Sequence, residues 1–197
     1  MKEKISIKDS QNTIILPCVA MRDLVIFPNM TMHFDVARER SVKALKKALA
    51  NNEMIFLTAQ MDVVVAEPKF KDVFKVGSIA EIKQIVKGQD GVSRVLVEGI
   101  RKAKLLRLEQ ADGGYLEAEV KKLPNYSREK FSENEIEALT REIRTLFERY
   151  VTVVPRMPKE LYAAVLGTSS PKSLFETLVF NITLSLEEKQ SMLECSS

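Results

Sequence analysis

Few residues in this chain are of the types that usually carry out chemistry. Its 197 residues include one histidine, His33, and two cysteines, Cys18 and Cys195. A metal centre or a nucleophilic site needs several such side chains brought together. The cysteines are far apart in sequence and lack metal-type neighbours, and His33 has no second histidine to work with. We therefore expect no catalytic residue and no metal ion in this segment.

The nearest approach to a phosphate-binding loop is the segment from Gly167 to Ser173. A P-loop has a second glycine directly before its lysine, so that backbone amides can surround the phosphates. Here Pro171, which has no amide proton, takes that place before Lys172. The segment fits better as a helix that ends at Gly167 and a new helix with a serine cap. We therefore expect no cofactor to bind in this segment.

Charged residues suggest one ion pair and one mixed surface. Arg22 and Asp23 follow an apolar run, and we predict that they form a structural ion pair at a corner between two strands. The net charge of +3 neither requires nor excludes a nucleic-acid partner. A basic group on the predicted strands could contact phosphates, but glutamates interrupt it and no aromatic platform accompanies it, so a solvated mixed-charge face is favoured. The basic group comprises Lys83, Lys87, Arg94, Arg101, Lys102, Lys104 and Arg107.

A cluster of apolar residues around Pro28 could contact other proteins. Methionine is flexible and polarisable, so it suits promiscuous contact surfaces as well as irregular cores. Core packing is the alternative for the same residues. The candidate contact residues are Phe27, Pro28, Met30, Met32 and Phe34.

These candidates lie in residues 14–34, which have the pattern strand, charged corner, short strand, turn and strand. Period-two alternation places Met32 and Phe34 on one face and His33 on the other, which we expect to face solvent. Pro28 begins the turn, since proline fixes φ and cannot donate to a strand ladder.

A strand-rich part precedes Pro124. Residues 38–51 form a helical pattern with Leu45 and Leu49 at helical spacing. Residues 62–65 could form a strand, but Glu67-Pro68-Lys69 interrupts it, so residues 60–74 are predicted to be a loop. Short strands separated by turns predict a compact antiparallel sheet or small barrel with the helix packed on it. The further predicted strands cover residues 54–59, 76–86, 92–98, 101–108 and 116–120.

Beyond Pro124 the strand pattern stops and four helices are predicted. Ser132 and Glu135 form a capping box that begins the first helix. The last helix has only begun when the chain stops, which suggests a fragment of something longer. The first helix carries an apolar stripe made of Ile136, Leu139, Ile143, Leu146 and Tyr150.

The opening stretch also carries a family resemblance. It contains the pattern Leu-Pro-x-x-x-x-Arg-Asp-x-Val-x-Phe-Pro-x-Met from Leu16 to Met30. Further short pieces follow in order, among them residues 95–99 and 184–190, so that the likeness covers nearly the whole chain. On these residues the chain resembles the amino-terminal domain of bacterial Lon, the ATP-dependent protease.

The resemblance implies an α+β fold. Residues 1–123 would form a small antiparallel, β-rich, PUA-like subdomain with one packed helix. Residues 124–197 would form an all-α helical-bundle subdomain, truncated at its carboxyl end.

The resemblance also implies a non-catalytic module for substrate recognition and oligomerisation in a cytoplasmic serine protease. Its partners would be unfolded or damaged proteins and, in the parent homohexamer, further copies of itself, with no membrane. ATP and magnesium would bind parent modules that these residues do not include. An RNA-binding module on a PUA-like fold and a purely structural assembly element remain as alternatives.

Overall fold

A computed structural model describes residues 12–88, 91–124, 131–154, 157–168 and 170–195. These residues form a mixed α+β fold that divides into two compact units. The first unit contains the strands and the last helix, and the second contains the helices between residues 131 and 185.

The first unit is built on a six-stranded sheet. Strand β6 pairs with both β1 and β5, so that β1, β3, β4, β5 and β6 close into a small barrel, and β2 adds to β5. Among the strand pairs of the described residues, only β1 and β3 are parallel. The elements are β1 (Thr13–Met21), β2 (Thr31–Val36), α1 (Glu39–Ala50), β3 (Met54–Ala59), β4 (Val76–Lys87), β5 (Ser93–Gln110) and β6 (Leu116–Lys122).

The core of this unit follows the period-two pattern where the strands are regular. Along β6, alternate side chains are buried, and Phe56 of β3 packs into the same cluster as Leu105 of β5. Helix α1 turns the small residues Ala44 and Ala48 inward, which lets the helix come close to β1 and β3. Leu49 is therefore exposed, contrary to the predicted stripe.

Two details of β4 and β5 differ from the prediction. Residues 92–98 and 101–108 belong to one continuous strand, because Gly99 pairs within the ladder instead of ending it. In β4, the register shifts between Ile82 and Gln84, and such an irregularity reverses the faces that follow it. Val86, which a strict period of two places on the same face as the buried Ile82, is exposed as a result.

The second unit contains α2 (Glu133–Val153), α3 (Lys159–Gly167) and α4 (Pro171–Asn181). The predicted capping box is confirmed, since the Ser132 amide donates to Glu135 Oε2 at 2.8 Å and the Glu135 amide donates to Ser132 Oγ at 3.3 Å. Between α3 and α4, the Ser173 amide donates to Ser170 Oγ, which caps α4. The segment from residue 167 is thus a helix junction, as predicted.

The predicted stripe on α2 is not the buried face of this helix. Phe147, together with Leu161 and Val165 of α3 and Leu174 of α4, forms the core of the second unit. Thr140, which lies beside the stripe on the surface of α2, is also buried. The stripe residues are half-buried or exposed instead.

Helix α5 (Leu186–Glu194) packs on the first unit, although the predicted boundary at Pro124 assigned it to the helical part. The buried Gln190 donates from Nε2 to the Val76 carbonyl of β4 at 2.9 Å. Lys102 Nζ of β5 donates to the Cys195 carbonyl at 2.6 Å, just beyond the helix. These contacts join the end of the described chain to the sheet. Of the helices described, none is long and apolar enough to cross a membrane.

Candidate functional site

The residue types usual in catalysis are dispersed in the fold. His33 is exposed on β2, Cys18 is buried in the barrel core, and Cys195 is exposed after α5. Burial raises the pKa of the Cys18 thiol, so this residue is a poor nucleophile. Among the residues described, no group of three or more histidine, cysteine and acidic side chains could hold a metal ion.

The predicted ion pair between Arg22 and Asp23 is wrong. Both side chains are exposed, and in the described part of the chain neither has a salt-bridge partner within 4.0 Å. The bend after β1 comes from the backbone instead, since Asp23 adopts a left-handed φ of 53°. Aspartate tolerates this region better than most residues do.

The predicted short strand before Pro28 is also wrong. Residues 24–27 form no ladder, yet Val25, Ile26 and Phe27 are buried. Ser78 Oγ donates to the Ile26 carbonyl at 2.5 Å, and the Met30 amide donates to the Phe27 carbonyl at 3.1 Å. Side-chain and turn hydrogen bonds thus replace the ladder and keep these carbonyls satisfied.

Burial separates the five candidate contact residues into two groups. Phe27 is 2% exposed and Met30 is buried beside it, so neither can meet another protein, and the core alternative is correct for both. Pro28, Met32 and Phe34 are half-buried. For these three a contact role stays a prediction.

Three of the seven residues in the basic group on the sheet pair with neighbouring carboxylates. Lys83 lies 2.8 Å from Glu81 and 2.9 Å from Glu98. Arg94 is paired with Asp35 and Arg107 with Glu109, each at 2.8 Å, while Lys102 is buried. This pattern is that of a mixed-charge face, and it reduces the positive charge available to a phosphate backbone.

An exposed apolar surface lies instead on the loop after β3, residues 61–72. Val64 is 81% exposed and Met61 is 49% exposed, and Val63 and Phe70 also face solvent. Four exposed apolar side chains in one loop are a candidate interaction site, since exposed apolar patches on folded proteins often mark one. We call these four side chains the apolar loop residues.

Gln60 holds the first half of this loop in place. Its side chain is completely buried, and Nε2 donates to the carbonyls of Asp62 at 3.1 Å and Val65 at 3.0 Å. Asp62 Oδ1 in turn accepts from the Val64 amide at 2.9 Å. The backbone under the valines is therefore fixed before any partner arrives.

The second half of the loop is fixed by charged side chains. The Lys69 amide donates to Asp72 Oδ2 at 2.9 Å around a single 3₁₀ turn, Phe70–Asp72. Lys75 donates to the carbonyls of Phe70 and Val73, and its ammonium lies 4.2 Å from the centre of the Phe70 ring. Arg40 of α1 donates to the Pro68 carbonyl at 3.3 Å.

A fixed loop with exposed apolar side chains can bind another apolar surface at a low entropic cost. Its side chains offer no directional hydrogen bonds, so the contact would be tolerant of the partner's sequence. The sequence predicted the loop but not this role, because the short apolar run that contains Val63 and Val64 could equally have been a strand. Their exposure depends on Gln60, whose burial no local pattern indicates.

Comparison with known proteins identifies the family. The model of the ATP-dependent protease La (LON) substrate-binding domain matches residues 15–197. The Lon protease of Desulforamulus reducens is 37% identical over 179 residues, which cover 91% of this chain and 22% of that protein. Lon protease 1 of Bacillus subtilis is 32% identical over 179 residues, which cover 91% of this chain and 23% of that protein. The chain thus spans less than a quarter of the length of these relatives.

Solved structures agree on the fold. The amino-terminal domain of Lon protease from the Mycobacterium avium complex has a TM-score of 0.68 at 20% identity, covering 93% of this chain and 91% of that one. A Lon amino-terminal domain protein from Xanthomonas campestris has a TM-score of 0.51 at 17% identity, covering 86% of this chain and 99% of that one. Because the family model spans nearly all of the sequence, the chain belongs to the family of Lon substrate-binding domains.

Proposed function

We propose that this chain recognises protein substrates for a Lon protease by binding exposed apolar segments of unfolded or damaged proteins. The observation that carries the proposal is the set of apolar loop residues held outward on a fixed backbone. Such a surface suits unfolded chains, which expose apolar side chains in no fixed order.

The binding strength of one such surface is modest. Fully burying a valine or methionine side chain is worth about 1.5–3 kcal/mol, and a partly exposed one gains less. Several copies in one assembly would raise the apparent affinity by avidity, since a substrate held by one copy meets the next at high local concentration.

We also propose, from the family to which this chain belongs, what the parent protein does. It would be an ATP-dependent serine endopeptidase of the cytoplasm that assembles as a homohexamer. This chain spans 22–23% of the length of these relatives. ATP, magnesium and the protease chemistry would belong to modules in the rest of that length. Substrate capture and self-association would be the contributions of this chain.

The test measures binding of the 197-residue chain to reduced, carboxymethylated lysozyme, which stays unfolded in water. The variant Met61→Ser/Val64→Ser removes two apolar loop residues. We expect its Kd to rise roughly thirtyfold, from about 1 kcal/mol of lost burial for each side chain. The matched control Val86→Ser/Leu106→Ser changes two exposed apolar residues of the same unit and should bind as the native chain does.

Unchanged binding in a folded Met61→Ser/Val64→Ser chain would remove the loop from the proposal. A second variant, Met32→Ser/Phe34→Ser, tests the half-buried candidates on β2. If only this variant weakens binding while the fold is kept, the contact surface lies on β2. No binding by the native chain would leave the purely structural alternative.

A further inference from the structure

Helix α2 carries an apolar line that its own unit leaves uncovered. Six side chains recur at alternating spacings of three and four residues, and we call them the seam. Val153 is 74% exposed and Leu139 is 54% exposed, and only two of the six are half-buried. The seam comprises Ile136, Leu139, Ile143, Leu146, Tyr150 and Val153.

The spacing is that of a heptad repeat. Ile136, Ile143 and Tyr150 take the a positions, and leucine or valine takes each d position. An average spacing of 3.5 residues keeps a line of side chains facing one neighbouring helix. Phe147 and Thr140, at the flanking e positions, already pack into the second unit. Tyr150 also packs against this core and stacks with Phe147, so it is the four exposed residues of the seam that are separate from the face that stabilises this unit.

We propose that the seam of α2 binds α2 of a second copy of this chain, with the two helices antiparallel. The proposal gives a surface to the self-association included in the proposed function, on which it rests. An interface of this kind is isologous, so the same patch serves both copies around a two-fold axis.

The flanking charges favour a second copy as the partner. Glu142 and Arg149 lie one heptad apart on the same exposed flank of α2, and within the described chain neither forms an ion pair. A two-fold axis between Ile143 and Leu146 brings Glu142 of one copy opposite Arg149 of the other. The symmetry repeats this pair, so one helix sequence supplies both complementary partners.

The same charges decide the direction of the helices. In a parallel pair, each g position faces an e position of the other helix. Glu142 would then face Phe147, which is buried in its own core and offers no positive charge. Only the antiparallel arrangement places Glu142 and Arg149 together. Since the seam is shorter than the three to four heptads typical of stable coiled coils, association should depend on concentration.

The first test is sedimentation equilibrium of the 197-residue chain between micromolar and millimolar concentrations. We expect the mass to rise from that of one copy, 22.3 kDa, to twice that value. Leu146→Gln should keep the chain at the mass of one copy, whereas Glu148→Gln, on the outer face of the same helix, should leave dimer formation unchanged. Circular dichroism verifies that both variants retain the helices.

The second test reverses the flanking charges. Glu142→Arg alone places two arginines opposite each other in both symmetry-related pairs, and Arg149→Glu alone does the same with two glutamates. Each should weaken the dimer at least tenfold at low salt. The double variant Glu142→Arg/Arg149→Glu restores opposite charges and should return the dissociation constant to within about twofold of the native value.

Two results would overturn the proposal. One is a chain that stays at the mass of one copy at millimolar concentration. The other is a dimer that resists Leu146→Gln or shows no rescue in the double charge reversal. Binding to carboxymethylated lysozyme, measured on the same variants below the dimerisation range, is expected to be unchanged. Failure of the seam is thus distinguishable from failure of the loop.

Discussion

Replacing Gly99 with alanine would place a methyl group where a neighbouring backbone segment already lies. A Cβ at this position of β5 would be 2.1 Å from the Phe27 carbonyl oxygen and 3.2 Å from Ile26 Cγ2. The approach is close because the turn before β2 is bonded to this residue. The Asn29 amide donates to the Gly99 carbonyl at 2.7 Å, and the Gly99 amide donates to the Met30 carbonyl at 2.8 Å.

The cost can be worked from these contacts. Relief of the clash to a normal separation of about 3.5 Å requires the turn to withdraw by more than about 1 Å. Both hydrogen bonds would then exceed bonding distance, at a net loss of about 0.5–1.5 kcal/mol each. Overpacking adds about 1–3 kcal/mol, so the free energy of unfolding should fall by about 2–6 kcal/mol. This is a large share of the roughly 5–15 kcal/mol typical of a domain.

Urea unfolding followed by circular dichroism measures the effect. Gly91→Ala is the matched control, since Gly91 has a left-handed φ of 74° but no atom within 4 Å of the added Cβ. It should cost only the backbone strain of about 1–2 kcal/mol. If Gly99→Ala lowers the free energy of unfolding no more than Gly91→Ala does, close approach is not the reason for glycine at this position.

Three further predictions concern the thiols and the helix cap. In the native chain a thiol reagent should modify the exposed Cys195 quickly and the buried Cys18 only after unfolding, and equal rates would contradict the packing of the barrel core. Ser132→Ala should lower the stability of the helical unit by about 1 kcal/mol in thermal unfolding, and no change would mean that the cap is not formed in solution. Hydrogen bonds from the Ser132 amide and hydroxyl lower the pKa of Glu135. Its contribution is therefore present above the unfolded pKa of about 4.3 and lost as the pH falls through the lower folded value, so Glu135→Gln and the native chain should converge in stability in acid.

Much of the barrel could be predicted because its strands are regular and half-buried. In β6, Leu116 and Val120 alternate with glutamates, and one face is indeed buried. The period-two pattern did not predict the strands correctly where the hydrogen-bond ladder between β4 and β5 is irregular. Gly99 indicated a break because glycine usually weakens a strand, but here it permits a close contact with a segment distant in sequence.

The prediction of the buried face of α2 failed for a different reason. Helix α2 has two apolar lines, and periodicity alone could not decide which one faces the core. The face that carries Phe147 is the buried one, because Phe147 packs in one core cluster with Leu161 and Leu174 from other helices. The contact role of the loop after β3 could not be predicted for a similar reason, since the buried Gln60 that fixes this loop is indistinguishable in sequence from an exposed glutamine.

The pairing of β6 with β1 has a consequence for the order of folding. Thr13 of the first strand is matched to Lys121 of the last, so the barrel cannot close until almost the whole unit has left the ribosome. Contacts so distant in sequence slow folding, because a long loop must be ordered before the pairing stabilises it. Helix α5 adds to the delay, since its place on β4 is filled only after the intervening helices are made. During synthesis, β1 and β3 therefore expose the apolar surface that the finished barrel buries, and for that interval this chain resembles the unfolded proteins that it is proposed to bind.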